Sequence, residues 1–181
     1  METAEIDTRW DPEFVFPSFS TISNDGSEIV RVSVTDLKEA GEFFNVRRIS
    51  AKGDTIFSTR IPYKGVPMPR AFIDSVLARG LGVDRDRTTP ATRIPSVFPP
   101  VTGVYVEPNQ GHTWITLRET ATTFGVMVLN RSGLPVTTFK LPQKADLMAA
   151  NATHLWLREK DADDIQSVTR YRLTCAAKLC R

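Results

Sequence analysis

The sequence predicts an all-β fold of short antiparallel strands interrupted by one helix. Three observations carry that expectation. Pro and Gly divide the 181 residues into short runs rich in β-branched and aromatic residues. Tight turns such as "AKGD", "NQG" and "RSG" join neighbouring runs, and their glycines suit the positive φ that hairpins need. Two stretches, "QGHTWITLRE" from Gln110 and "ATHLWLREKD" from Ala152, repeat a His-x-Trp pattern and place both histidines, His112 and His154, 42 positions apart (112 to 154).

Composition sets the outer limits. The 41% hydrophobic and 24% charged content is that of a globular chain with a real core. Its 23 basic and 21 acidic residues leave a net charge of +2, and no run of Lys and Arg concentrates it, which argues against nucleic acid as partner. No uninterrupted apolar run approaches the ~18 residues of a membrane span.

Residues 1–16 read as an N-terminal extension. Its opening, "METAEIDTRWDPEF", carries acids where an export signal needs a basic start and an apolar stretch, and the compartment stays open. The first strands are "PSFSTIS", "SEIVRVSV", "EFFNVRRIS" and "DTIFSTRIP". In the second of these, alternation puts Val30, Val32 and Val34 on one side, with Ile29 and Arg31 on the other. "VPMPRAFIDSVLARGLG" differs, because Phe72, Ile73, Val76, Leu77 and Leu81 recur at helical spacing. Pro69 suits the first turn and Gly80 or Gly82 the end of a helix expected to lie as a lid on the sheets. "VTGVYVEP", "HTWITLRE", "TFGVMVLN" and "VTTFKLP" then repeat the strand texture, followed by "DLMAAN", "HLWLREK" and "SVTRYRLTC". Residues 175–181 form a C-terminal tail, in which Cys175 and Cys180 fit a terminal disulfide or two free thiols. They lack the further ligands of a zinc site.

An internal repeat organises these runs. "FNVRRISAKGDTIFSTRIP" from Phe44 lies over "FGVMVLNRSGLPVTTFKLP" from Phe124 without a gap, so that Val46 meets Val126, Gly53 meets Gly133, Ile61 meets Leu141 and Pro62 meets Pro142. At the shorter offset of the two histidines, Val126 meets Val168 and Leu129 meets Tyr171. A period near 40 residues with four short strands is that of a propeller blade. The expected architecture is a partial β-propeller of about two and a half four-stranded antiparallel blades with one inserted helix. The propeller-like domain spans 17–174, with blades at about 17–62, 101–142 and 144–174 and the helical insertion at 66–98. Trp114 is then expected to fill the space between blades, and His112 and His154 to be turn-edge residues set apart around the stack rather than a shared metal site.

"PPVTGVYVEPNQGHTWITLRE" resembles a family of bacterial six-bladed β-propeller proteins related in architecture to NHL-type and TolB-type propellers. Gly111 and Trp114 stand where the family has its "DG-x-x-W" turn, while Gln110 replaces the Asp. "RIPYKGVPMPRAFIDSVLARG" resembles the family's inserted helix, and "DADDIQSVTRYRL" its closing strand. Because six blades need well over ~240 residues, the resemblance implies the C-terminal half of a longer protein, or a half-ring that closes as a homodimer. Family members are often exported.

Chemistry is sparsely signalled. There is no phosphate-cradling glycine loop, no paired-His helix and no nucleophile placed with a His and an Asp. "EKDADD" has oxygen ligands without the spacing of a calcium loop and reads as a solvated turn. Gluconolactonase-like propellers hold an axial metal through Glu, Asn and Asp of inner strands. That resemblance implies Glu107 and Asn151 as candidates, whereas Asn24 and Asp25 sit in an "NDG" turn. The expectation is therefore a non-catalytic binding or scaffolding module without cofactor, taking a protein or small-molecule ligand at blade-end loops. An incomplete metal-dependent hydrolase or lyase is the alternative.

Overall fold

The computed structural model describes residues 18–23, 25–34, 42–78, 96–108 and 110–174. Within them, eleven strands form three antiparallel sheets, each a simple meander. The first holds β1 (Phe19–Ile22), β2 (Glu28–Ser33), β3 (Phe43–Ser50) and β4 (Thr55–Pro62). After the helix α1 (Arg70–Ala78), the second holds β5 (Val101–Val106), β6 (Thr113–Arg118), β7 (Phe124–Leu129) and β8 (Pro135–Lys140). The third has three strands, β9 (Ala145–Ala150), β10 (His154–Lys160) and β11 (Gln166–Arg172). This is the all-β, partial propeller-like fold expected from the repeat, with no closed ring. The expected N-terminal extension, the tail with Cys175 and Cys180, the helix-ending glycines and Asn24 lie outside the described residues.

The sheets stack because alternation gives each a face for its neighbour. Val30, Val32, Phe44, Val46, Phe57 and Ile61 of blade 1 share a core with Val101, Val106, Ile115 and Leu129 of blade 2. On its other side blade 2 offers Trp114, Val126 and Val128, which meet Ala145, Ala150, Leu155 and Leu157 of blade 3. Trp114 is wholly buried between the two blades, as the repeat predicts. At the inner edge β1 neighbours β5, and β5 neighbours β9.

Strand pairing confirms both offsets. Trp114 pairs with Val128 across β6 and β7, and Trp156 pairs with Arg170 across β10 and β11. The β3–β4 ladder slips between Arg48 and Ile49, and the β7–β8 ladder slips between Val128 and Leu129, 80 positions on (49 to 129). A bulge kept at one place in two blades marks a shared build. The Arg-Glu pairs that follow the two tryptophans are not part of the repeat. Arg118 follows Trp114 by two residues more than Arg158 follows Trp156, so the Arg-Glu pairs occupy different rungs.

The helix departs from the expected lid. Ile73 packs with Met68 and Phe98, flanked by Val66 and Phe72, in a small cluster that contains no strand residue. A bridge from Pro67 to Val97 ties the two ends of the insertion together. Among the described residues the helix is held to its own stem, through Ile73 and Phe72 of its apolar stripe.

The two repeat-related turn glycines differ in one testable respect. Gly53 (φ 91°) and Gly133 (φ 82°) both adopt the left-handed backbone. A Cβ on Gly53 would meet nothing within 4 Å, whereas one on Gly133 would stand 2.5 Å from the Phe57 ring. Gly53→Ala is expected to cost about 1 kcal/mol. Gly133→Ala, which adds overpacking to that strain, is expected to cost about 2–4 kcal/mol, as read from urea-unfolding midpoints.

Candidate functional site

Two places collect polar chemistry, one between blades 1 and 2 and one between blade 2 and the strand-to-helix connection, at opposite ends of the strands. The first lies at the end carrying the β1–β2, β3–β4, β5–β6 and β7–β8 turns. In blade 1 the alternation that buries Val30 and Val32 also turns Glu28 inward, and the one that buries Phe44 and Val46 turns Arg48 inward. Arg48 is only 2% exposed. Its Nε donates to Glu28 Oε2 at 2.6 Å, its Nη2 makes a second close contact with the same oxygen, and Nη1 donates to the Gly111 carbonyl of blade 2 at 2.5 Å. Arg131, from the β7–β8 turn, donates to Glu28 Oε1 at 2.9 Å. Burial is the largest single influence on Glu28 and pushes its carboxyl up. The hydrogen bonds and charges of Arg48 and Arg131 together outweigh it and hold the carboxyl below its ordinary value. The cluster clamps blade 1 to blade 2.

Beside it, Glu107 is buried and accepts from the Gln110 N–H at 2.7 Å, while His112 Nδ1 stands 3.7 Å from Glu107 Oε2. That separation is too long for a hydrogen bond. The repeat explains the arrangement. The backbone N–H of Ser23, Glu107 and Asn151 bonds to the carbonyl of Glu28, His112 and His154 respectively. In each blade the first residue's side-chain oxygen also takes a backbone N–H of the same turn. Asn151 Oδ1 accepts from the N–H of Thr153 and of His154 and from the Thr153 hydroxyl. Glu107 and Asn151 are thus turn-closing residues of successive blades, and His112 and His154 are the residues that follow those turns. The histidines stand on separate blades, with His154 bonded to Thr153 and tilted against Trp156.

Asp25 is exposed and is bonded by the Ser23 and Ser27 hydroxyls and the Ser27 N–H. The Ser23 hydroxyl is the strongest of the bonds that lower its carboxyl to about 2. Within "EKDADD", Asp161 Oδ1 accepts from the N–H of Asp163 and of Ile165, so the run's first two residues end β10 and the rest lie in the β10–β11 turn. Among the described residues no group of three His, Cys, Asp or Glu side chains is placed to hold a metal.

The second place is a cleft of about 620 Å³ at the opposite end, between the strand-to-helix connection and blade 2. Tyr63, Lys64, Arg118, Glu119, Thr120 and Phe139 contribute to its lining. The Arg118 guanidinium lies 4.6 Å from the Phe98 ring centre and 4.9 Å from that of Phe124, and Nη1 donates to the Ala121 carbonyl at 2.8 Å. This wedges the arginine between the helical insertion and the blade. The Tyr63 hydroxyl donates to the Arg118 carbonyl at 2.6 Å. Burial, opposed by the Arg118 charge, pushes that hydroxyl up to about 12, so it stays a donor at any physiological pH. A cleft of this size with an aromatic wall and a few fixed polar groups is suited to a small ligand. No local pattern records it, because its walls come from segments 56 residues apart (Tyr63 to Glu119).

No family model matches the chain, and no curated protein matches it. No helix among the described residues is long and apolar enough to cross a membrane.

Proposed function

We propose that the chain is a non-catalytic binding or scaffolding module, a three-blade segment of a six-bladed propeller of the NHL and TolB type. The observation that carries this reading is where its apolar surface lies. Of the eight large hydrophobic side chains exposed among the described residues, seven are on the two terminal blades: Ile22, Ile29 and Ile56 on blade 1, and Met148, Ile165, Val168 and Tyr171 on blade 3. The central blade, covered on both faces, contributes Leu134 alone, in a turn. Apolar surface concentrated at the ends of a stack supports association there. The cleft beside Tyr63 and Arg118 adds a place for a small-molecule ligand at a blade end.

Glu107, buried beside His112, favours a second reading, the metal-dependent hydrolase or lyase. Metal analysis of the purified chain separates the two. The binding reading predicts no stoichiometric calcium or zinc in the wild type. A stoichiometric ion that is lost in Glu107→Gln, which keeps an acceptor for the Gln110 N–H and so preserves the turn, would replace it with the metal-dependent reading.

A further inference from the structure

Blade 3 has a slot where blades 1 and 2 each carry a fourth strand. β4 pairs with β3 and β8 pairs with β7, whereas among the described residues β11 has a partner, β10, on one side only. Its seven residues therefore present alternate backbone N–H and C=O groups outward. The wall that blade 2 gives the slot is apolar and half covered. Phe139, paired with Val126 on the face of blade 2 that meets blade 3, is part-buried, as is Val136 beside it. On the other face of β11, beside Arg158, Val168 is 64% exposed, although its equivalent Val126 is 1% exposed.

The open face of blade 3 is not a copy of the face that covers blade 2's neighbour. At the 42-residue offset Arg170 stands where blade 2 has the buried Val128, Arg158 where it has Thr116, and Arg172 where it has Asn130. Lys160 lies on the same face. Asp146, the one carboxylate that strand register places on this face, is already paired with Arg158 at 2.8 Å. Lys160, Arg170 and Arg172 are left exposed and basic. A second copy of this end would meet like charge with like. So would the outer face of blade 1, where register places Arg31 and Arg47 together.

We propose that β11 is a docking edge for an extended strand of another polypeptide in which apolar and acidic residues alternate. The inference rests on the binding-module reading and names its partner at this end. Backbone hydrogen bonds to β11 would supply the attachment. The partner's acidic side chains would lie on the face of Arg170 and Arg172, and its apolar ones on the side of Thr169 and Tyr171, toward Phe139. An acidic strand suits this edge because its charges meet exposed cations, and period-two alternation keeps its apolar face off the solvent.

The test is amide hydrogen exchange of the full chain, with and without a heptapeptide alternating valine and glutamate, and with its valine–lysine counterpart. The expected result is protection of residues 166–172 by about tenfold or more with the glutamate peptide and none with the lysine peptide. Arg170→Glu with Arg172→Glu, both exposed and outside the cores, is expected to reverse that preference. Absence of protection by the glutamate peptide up to about 1 mM would overturn the proposal. So would a doubled solution mass with β11 protected before any peptide is added, since a second copy would then hold the edge. Protection by a single-stranded oligonucleotide that exceeds protection by the peptide would overturn it in favour of nucleic acid. The binding-module reading fails separately, through bound metal that depends on Glu107.

Discussion

Trp114→Ala is expected to destabilise the chain by about 3–5 kcal/mol, the cost of deleting a fully buried aromatic ring. The ring touches more than its own sheet. Its cluster joins Val126, Val128 and Leu141 of blade 2 to Ala145, Ala150, Leu155 and Leu157 of blade 3, and the Phe139 ring meets it edge-on at 6.1 Å. The small Ala145 and Ala150 leave the space the indole fills, so truncation opens a cavity that rigid strands on both sides cannot close. Trp114→Phe is expected to cost less than about 2 kcal/mol, since it keeps most of the apolar volume. Its buried Nε1–H has no hydrogen-bond partner among the described groups, so that change sacrifices no protein hydrogen bond. Urea unfolding followed through midpoint and slope checks both values. A cost under about 1 kcal/mol for the alanine variant would mean that blades 2 and 3 do not close on this residue.

Arg48→Ala is expected to cost about 3–5 kcal/mol, because it strands a buried carboxylate instead of merely removing a cation. Glu28 would keep only the exposed Arg131, and the Gly111 carbonyl would lose its buried donor. Glu28→Leu combined with Arg48→Met is expected to recover most of the loss, since an apolar pair of similar volume avoids the desolvation of both charges. The same cluster makes stability pH-dependent. The Glu28 carboxyl is held below its ordinary 4.5 in the folded chain, so its contribution is complete above that value and is lost as pH falls through the lower folded value. Wild type should therefore lose more stability than the double variant on acidification below about pH 4.5, as checked by urea midpoints at a series of pH values. Equal acid sensitivity would remove Glu28 from the account.

Much of the fold was legible because the repeat is written in residues whose roles are backbone and packing. Gly53 and Gly133 mark the same turn, Val30 and Val32 the same face, and Trp114 the same rung as Trp156. Even the burial of Glu28 and Arg48 was present as a signal. Both fall on the apolar phase of their strands, Glu28 with Val30 and Val32, and Arg48 with Phe44 and Val46. What alternation could not show was that the two charges meet, since that depends on the register between β2 and β3. The helix was legible as a helix and not as to its packing, because an apolar stripe does not say which surface receives it. Glu107 and Asn151 were legible as oxygen-bearing residues at the ends of inner strands. Their hydrogen bonds with turn N–H groups give both a part in closing the turns. The clefts and edges depend on contacts between distant segments, and no local pattern records those.

One blade is drawn repeatedly: the tryptophan face of blade 2 is covered by blade 3, and among the described residues nothing covers the matching face of blade 3. Acrylamide quenching in two single-tryptophan variants reports on both faces. One retains Trp114 with Trp10→Phe and Trp156→Phe, and the other retains Trp156 with Trp10→Phe and Trp114→Phe. Trp114, fully buried, is expected to be shielded from the quencher, and Trp156, part-exposed, to be quenched several-fold more. Equal shielding of both, or ready quenching of Trp114, would contradict this arrangement.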